Sequence, residues 1–343
     1  MKNTGFFVIF AVLLLIPTSL SAQNSLPVWV SNIDRAYPGN EWIAVTASGN
    51  SQPQAEASAM NALARVFKTD VASITSASQQ FSQIISGGNK NISFDESRNF
   101  SQEIDVSTNI KGLIGVQLDV YRDNRNTIHV CARMNRRESA ARYSGMIREN
   151  TTVIERLLAS TVPAGTLEAF SRLSFAYSIA KITDNFQNIL EVLDITAVNR
   201  KPSYGGAAYI KTKMIECASL ITIGVDVTTE QASDKTLFTR AIGSFFGDRG
   251  FRINDQNNGD YVLRANIRSE LLSQNVFSCR YFFDAALNNK SNVSIFSFTE
   301  DERKAHRNSQ TEARRLAVQA VEASIKEAKF ASEFDAWLNS NIE

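Results

Sequence analysis

The spacing of apolar residues changes repeatedly along this chain, and the changes divide it into blocks of helix and strand. Small and apolar residues recur at helical spacing from 50 to about 81, whereas polar and apolar residues alternate from 98 to 135. Two amphipathic helical stretches follow at 137–159 and 166–198, separated by a short turn. The pattern predicts one helix packed on an antiparallel sheet, an α+β unit, followed by a long antiparallel helical hairpin.

After residue 200 the pattern starts again and predicts a second α+β unit. Pro202, Gly205 and Gly206 are typical of a linker. The charged run at 300–307 is expected to be a solvated connection. The predicted order is β-α-β-β-β-β-α, at residues 220–227, 234–246, 251–254, 260–268, 278–288, 293–299 and 310–328.

The first 22 residues predict an export signal. Lys2 precedes an apolar run at 6–16, which is shorter than the roughly twenty apolar residues that span a bilayer, and small residues follow at 19–22. Gln23 offers no thiol for an acyl anchor, and no later apolar run is long enough for a membrane span. We therefore expect an exported mature chain without a transmembrane span. The predicted divisions are a signal at 1–22, an N-terminal domain at 23–136, a hairpin at 137–200 and a C-terminal domain at 201–343.

The charge balance and the rarity of histidine argue against several functions. Lys and Arg number 36 and Asp and Glu 35, so the formal net charge of +1 provides no field that would hold nucleic acid. The two histidines, His129 and His306, have no partners at metal-ligand spacing, and the chain contains neither GxSxG nor a phosphate-binding glycine motif. His129 and Cys131 would be parallel neighbours on a strand, which is a poor geometry for a catalytic dyad. We predict no enzymatic activity, no metal and no cofactor.

The chain contains three cysteines, Cys131, Cys217 and Cys279. This number is small and odd, whereas a disulfide framework requires a larger, even number of cysteines. Cys279 shares a predicted strand face with apolar residues, which favours a buried free thiol. A single bridge between Cys217 and Cys279 is the open alternative.

Two segments are candidate contact surfaces for a partner. The first is a group of arginines where the first sheet meets the hairpin, which could bind a polyanionic glycan or an acidic protein face unless Glu138 neutralises it. The second is a polar, glycine-containing loop tip at 86–91. The candidate residues are Arg133, Arg136, Arg137 and Arg142 in the first segment and Gly87, Gly88 and Lys90 in the second.

Short motifs in the N-terminal part carry a family resemblance. Residues 27–30 read PVWV, residues 42–45 read WIAV before Ser48-Gly49, and residues 130–134 read VCARM. The predicted helix carries alanines at 55, 57, 59 and 62. Ala140, Ala141 and Tyr143 come after the last strand. In these motifs, residues 27 to about 146 resemble the LPP-twenty family of bacterial outer-membrane lipoproteins.

The C-terminal part has a second resemblance. Gly250-Phe251 follows a predicted helix, and Asp260-Tyr261-Val262-Leu263 opens a strand. Residues 220 to about 328 are similar to modules of flagellar assembly protein T and of periplasmic lipoproteins that activate cell-wall synthases. Both resemblances imply envelope proteins that bind or scaffold, and neither provides active-site residues to carry over.

The sequence therefore predicts a non-enzymatic protein of the periplasm, peripheral to the outer membrane, that acts in outer-membrane or surface-structure assembly. Its expected partners are envelope or outer-membrane proteins. Two alternatives stay open. One is a peptidoglycan-binding module, and the other is a cell-wall glycan hydrolase that uses Asp95 and Glu96 as acid and base.

Overall fold

The computed structural model describes residues 26–67, 113–159, 161–197, 202–254, 258–273, 277–306 and 309–340. Four sequence predictions lie outside these residues: the export signal, the end of the first long helix near residue 81, the first part of the alternating stretch that begins at residue 98, and the loop tip with Gly87, Gly88 and Lys90. Asp95 and Glu96 also lie outside them.

The N-terminal part is a three-stranded antiparallel sheet with a helix on one face. In β3, Ile128, Val130, Ala132 and Met134 alternate with more polar residues and are buried beneath α3. Ala55 and Ala59 of α3 are fully buried, because small side chains allow a helix to lie close to a sheet. The strand order is β1-β3-β2. The elements are α1 (Val28–Ser31), α2 (Ile33–Ala36), β1 (Trp42–Gly49), α3 (Gln52–Val66), β2 (Gln117–Arg122) and β3 (Ile128–Asn135).

Two long helices follow, α4 (Arg136–Leu158) and α5 (Leu167–Leu193), and they pack against each other in opposite directions. The Tyr143 ring lies 5.4 Å from the Phe186 ring, measured between centroids. Further along, the buried Asn150 Nδ2 donates a 3.0 Å hydrogen bond to Thr183 Oγ1. The start of α4 therefore lies against the end of α5. A 3-10 turn at 195–197 follows the end of α5.

The C-terminal part is a five-stranded sheet of order β5-β4-β6-β7-β8. Strand β4 runs parallel to β5 and β6, and the remaining pairs are antiparallel. The sequence pattern predicted an antiparallel sheet, so the parallel pairs differ from the prediction. They arise because the chain crosses over through α7 after β4. The elements are α6 (Ala207–Ala218), β4 (Thr222–Thr229), α7 (Ala232–Gly247), β5 (Arg252–Asn254), β6 (Tyr261–Ser273), β7 (Phe277–Asn289), β8 (Ser294–His306), α8 (Gln310–Lys326) and α9 (Lys329–Ser340).

The described residues form two hydrophobic cores, and helix α5 contributes to both. Residues 175–193 of α5 bury their apolar side chains in the N-terminal core. Leu167, Ala169 and Phe170, at the other end of α5, belong to the C-terminal core. The buried Ser171 hydroxyl donates to the backbone oxygen of Leu338 and joins α5 to α9. Because one continuous helix is shared, the two cores are structurally coupled.

The α+β class predicted from the sequence is confirmed, while three details differ. Pro202, Gly205 and Gly206 form a turn before α6, a helix that the sequence pattern did not predict, and α9 was likewise missed. The run 300–306 is part of β8 instead of a solvated connection. There, Glu300 is buried and accepts a hydrogen bond from Ser324. The predicted domain boundaries stay a prediction.

Candidate functional site

Arg133, the first of the four predicted contact arginines, is held on the outer face of the first sheet. Its Nε donates a 2.7 Å hydrogen bond to Asp119 Oδ2. Its guanidinium carbon lies 4.9 Å from the ring centroids of both Tyr37 and Trp42, in cation–π geometry. Asp119 also accepts a hydrogen bond from the Tyr37 hydroxyl. The side chain of Arg133 thus joins the segment before β1 to β2 and β3.

The same contacts perturb the ionisation of Asp119 and Tyr37. Partial burial tends to raise the pKa of Asp119, but hydrogen bonds from Arg133 and Tyr37 outweigh it, so that the pKa lies below its ordinary value. Burial, together with the hydrogen bond to Asp119, raises the pKa of Tyr37 to about 12. Both groups therefore keep the protonation states that hold this contact together at neutral pH.

Arg136 binds backbone oxygens at the junction of the sheet and the two helices. Its Nε donates to Gly39 O at 2.8 Å, and its Nη1 donates to Val192 O at 2.6 Å. A cation that binds the last carbonyl groups of a helix stabilises that end of the helix. Arg136 therefore fastens the end of α5 to the loop before β1.

Arg137 and Arg142 are exposed, and they point to different places. Arg137 lines a groove at the junction, whereas the Arg142 guanidinium lies next to Gly115, close to the start of β2. The four arginines that are close in sequence consequently do not form one basic surface. Arg133 and Arg136 are engaged in intramolecular contacts. Arg137 lines the same groove as Arg136, whereas Arg142 does not.

The three cysteines are buried free thiols, so the bridge considered between Cys217 and Cys279 is not formed. The Cys217 sulfur lies 4.0 Å from Thr166 O at the start of α5, whereas Cys279 lines a small crevice with residues of α7 and α8. Burial raises the pKa of each thiol, that of Cys131 to about 11. Such thiols are poor nucleophiles.

A Ser-His-Asp arrangement that the sequence did not reveal lies on the first sheet. Ser48 and His129 are direct cross-strand partners, with Ser48 Oγ 2.9 Å from His129 Nδ1. On the other side of the ring, His129 Nε2 lies 3.2 Å from Asp123 Oδ2. Sequence spacing could not find it, because β1 and β3 are far apart in the chain.

The surroundings of this arrangement favour a structural role. Ser48 is exposed on the sheet face, and the ring nitrogens are used in the reverse order to those of a serine-protease triad. Asp123 Oδ1 accepts the N–H groups of Arg125 and Thr127 at 2.9 Å each. The pKa of Asp123 is lowered because the hydrogen bonds from His129 and from these two N–H groups outweigh a desolvation effect in the opposite direction. The network thus closes the loop between β2 and β3.

The described residues also bear on metal binding and on membrane crossing. No group of three or more His, Cys, Asp or Glu side chains in this part of the chain is arranged to hold a metal ion. None of the helices in the same residues combines the length and the apolar character that crossing a bilayer requires.

The junction groove is an open depression beside the predicted contact residues Arg136 and Arg137. It is bounded by the loop before β1, the start of α4 and the end of α5. At its rim, Ile195 is 84% exposed. Two arginines and four acidic residues line the groove: Arg136, Arg137, Glu41, Glu138, Glu191 and Asp194. Because acids outnumber arginines, the groove favours a basic partner over the anionic partner that the arginines alone suggested.

No protein-family model and no curated protein sequence matches the chain. Among solved structures, a minor lipoprotein from Acinetobacter baumannii shares 14% identity, with a TM-score of 0.25, over 35% of this chain and 93% of that protein. Lipoprotein GNA1162 from Neisseria meningitidis shares 12% identity, with a TM-score of 0.24, over 30% and 96%. The secreted protein HP1454 from Helicobacter pylori shares 16% identity, with a TM-score of 0.35, over 86% and 97%.

These similarities involve bacterial lipoproteins and a secreted protein, but their TM-scores are all below 0.5. The resemblance of the N-terminal part to the LPP-twenty family stays a prediction.

Proposed function

We propose that this protein is an exported, non-enzymatic binding or scaffolding factor of the bacterial cell envelope, which acts in outer-membrane or surface-structure assembly. The predicted export signal supports the location. The bonding of the ionisable groups supports the absence of catalysis, since Arg133, Asp119 and His129 are each engaged in contacts that hold the fold together.

The junction groove is the observation that supports the binding function best. A large apolar side chain, Ile195, is exposed beside a surface on which carboxylates outnumber arginines. Protein interfaces combine an apolar contact with complementary charge at the rim. The partner that fits is an envelope protein that presents an apolar side chain next to a basic residue.

Site-specific photocrosslinking in the native envelope tests this proposal. A photoreactive phenylalanine analogue replaces Ile195 in one variant and Val293, which is 56% exposed in the loop between β7 and β8, in the control. We expect one envelope protein to be crosslinked from position 195 and not from 293. Adding Glu191→Lys should weaken this crosslink, because it reverses a charge in the groove. The same set of products from both positions would refute the groove as a docking site.

A cell-wall ligand is a separate outcome that a binding assay with sacculi can identify. Purified sacculi, free of protein, are incubated with the wild-type protein and with Ile195→Ser. If the sacculi retained both proteins and position 195 gave no specific crosslink, the ligand would be peptidoglycan and not a protein. A failure of the sacculi to retain either protein, with the crosslink present, supports the proposal.

A further inference from the structure

A second depression lies far from the groove, where the end of α4, the start of α5 and helix α6 meet. Its volume is about 380 Å³. This value lies near the lower end of the roughly 300–1,000 Å³ that is typical of small-molecule sites. The volume accommodates roughly a dozen water-sized groups. The pocket is therefore large enough for a small ligand with a single hydrocarbon chain.

The walls of the pocket are mainly apolar. Leu157 and Leu158 come from α4, and Leu173 comes from α5. At the rim, Leu220 is 53% and Tyr209 is 50% exposed. Two large apolar side chains that remain exposed next to an apolar cavity are characteristic of a ligand-binding surface.

The charged side chains that line the pocket, two cations and one carboxylate, leave a formal excess of one positive charge. Arg172 and Lys213 line it together with one carboxylate, Glu216, which lies 3.4 Å from the Lys213 ammonium group. Arg172 Nη2 donates to Glu168 at 3.1 Å, while its Nε is buried and has no hydrogen-bond partner among the residues that the structure describes. A buried N–H group without a partner is unfavourable, and an anionic acceptor would satisfy it.

We propose that this pocket binds a medium-chain carboxylate of about eight to twelve carbons, a length that follows from its room for roughly a dozen water-sized groups. The hydrocarbon chain lies against Leu157, Leu158 and Leu173. The carboxylate is bound by Arg172, with Lys213 at the mouth. This inference does not depend on the groove or on the partner proposed for it.

Calorimetric titration of the full chain with decanoate, below its micelle concentration, tests the proposal. We expect saturable binding of one decanoate per chain. Decanol has the same chain and no charge, so it should bind at least tenfold more weakly. Absence of saturable decanoate binding, or equal affinity for the two ligands, would overturn the proposal.

Two kinds of variant test the location of the site. Ala164, at the exposed rim, is replaced by Trp to fill the pocket without disturbing a core, and this variant should lose decanoate binding. Arg172→Met keeps an unbranched apolar stem and removes the guanidinium group, so it should reduce the affinity for decanoate about tenfold, while the affinity for decanol stays the same. Arg268→Met, at an exposed arginine on β6, is the charge-matched control and should bind as the wild type does.

Folding of each variant is checked by its melting temperature before titration. If Arg172→Met does not fold, Lys213→Met on the surface of α6 replaces it, and a loss of decanoate affinity is again expected. Undiminished binding to Ala164→Trp would show that decanoate binds elsewhere and would refute the assignment.

Discussion

Helix α9 closes the C-terminal core through Phe330, and replacing this residue tests that packing directly. Phe330 is fully buried among aromatic side chains of α7, β7 and β8. Its ring centroid lies 5.3 Å from those of Phe245 and Phe298, and 5.5 Å from that of Phe283. Such ring pairs contribute roughly 0.5–1.5 kcal/mol each beyond the burial of their area.

The cost of the substitution follows from the volume and the ring contacts that are lost. Phe330→Ala removes a complete buried ring and should lower the free energy of unfolding by about 3–5 kcal/mol. Phe330→Leu retains most of the apolar volume and loses the ring contacts, so we expect a loss of about 1–2 kcal/mol. Since domains are typically stable by about 5–15 kcal/mol, the alanine variant should lose a large part of the stability of this core.

Urea unfolding followed by the fluorescence of Trp337 measures the effect. Trp337 belongs to the same aromatic cluster, at 5.3 Å from the Phe296 ring, and therefore reports on the C-terminal core. Trp29 and Trp42 are replaced by Phe in all variants so that they contribute no signal. With an m-value of roughly 2 kcal/mol/M, the midpoint of Phe330→Ala should fall by about 1.5–2.5 M.

Val293→Ala is the control, because the exposed Val293 lies in a loop and its truncation should change the free energy of unfolding by less than about 0.5 kcal/mol. If Phe330→Ala shifted the midpoint no more than Val293→Ala does, α9 would not be packed on the sheet as described. The reasoning on the aromatic cluster would then be wrong.

Three further predictions concern ionisation, a buried hydrogen bond and thiol reactivity. The pKa of Asp119 is lowered in the folded state, so the ionised carboxylate stabilises the fold at pH values above its ordinary pKa near 4. This stabilisation is lost as the pH falls through the lowered pKa. When unfolding is measured as a function of acid pH, Asp119→Asn should therefore lose stability less steeply than the wild type. Tyr143→Phe should cost about 1–3 kcal/mol in urea unfolding and speed amide exchange at Ile114, whose N–H donates to the Tyr143 hydroxyl at 2.8 Å; unchanged exchange would contradict it. Ellman's reagent should react slowly with the native protein at pH 8, since all three thiols are buried, and rapidly with three thiols per chain in urea; fast native labelling would show that at least one thiol is accessible.

Elements whose signals are local in the chain were predictable from the sequence. The alternation from Ile128 to Met134 identified β3, and the turn with Pro163 and Gly165 separated α4 from α5. Helix α6 was missed because its first turn is capped from another helix. Asp184 of α5 accepts the Ala207 N–H at 2.9 Å, whereas the N-cap residue, Gly206, has no side chain. A cap supplied from elsewhere in the fold leaves no local signal.

The charged part of β8 was missed for a similar reason. Two of its acidic residues are paired with distant elements: Asp301 with Arg280, and Glu300 with Lys329 at 3.2 Å. Such pairs allow a polar segment to join a sheet, but the partners lie more than twenty residues away. Sequence spacing therefore indicated a solvated loop.

The candidate site was the least predictable part. Arg133 and Arg136 are close in sequence, but their partners, Asp119 for one and Gly39 and Val192 for the other, occupy different parts of the fold. Proximity in the chain grouped side chains that the structure separates. The apolar pocket is likewise assembled from three helices and their connections, so no single segment carries its pattern.

Helix α5 fixes the spacing between the two proposed binding surfaces. Arg172 lines the pocket near its start, and Leu193 lines the groove at its end. Their separation along the helix is about 32 Å, at a rise of 1.5 Å per residue. A peptide that bridged both surfaces would need roughly nine residues in extended form. Any molecule that binds both sites at once must therefore match the length of this helix. A shorter ligand can occupy only one of the two sites.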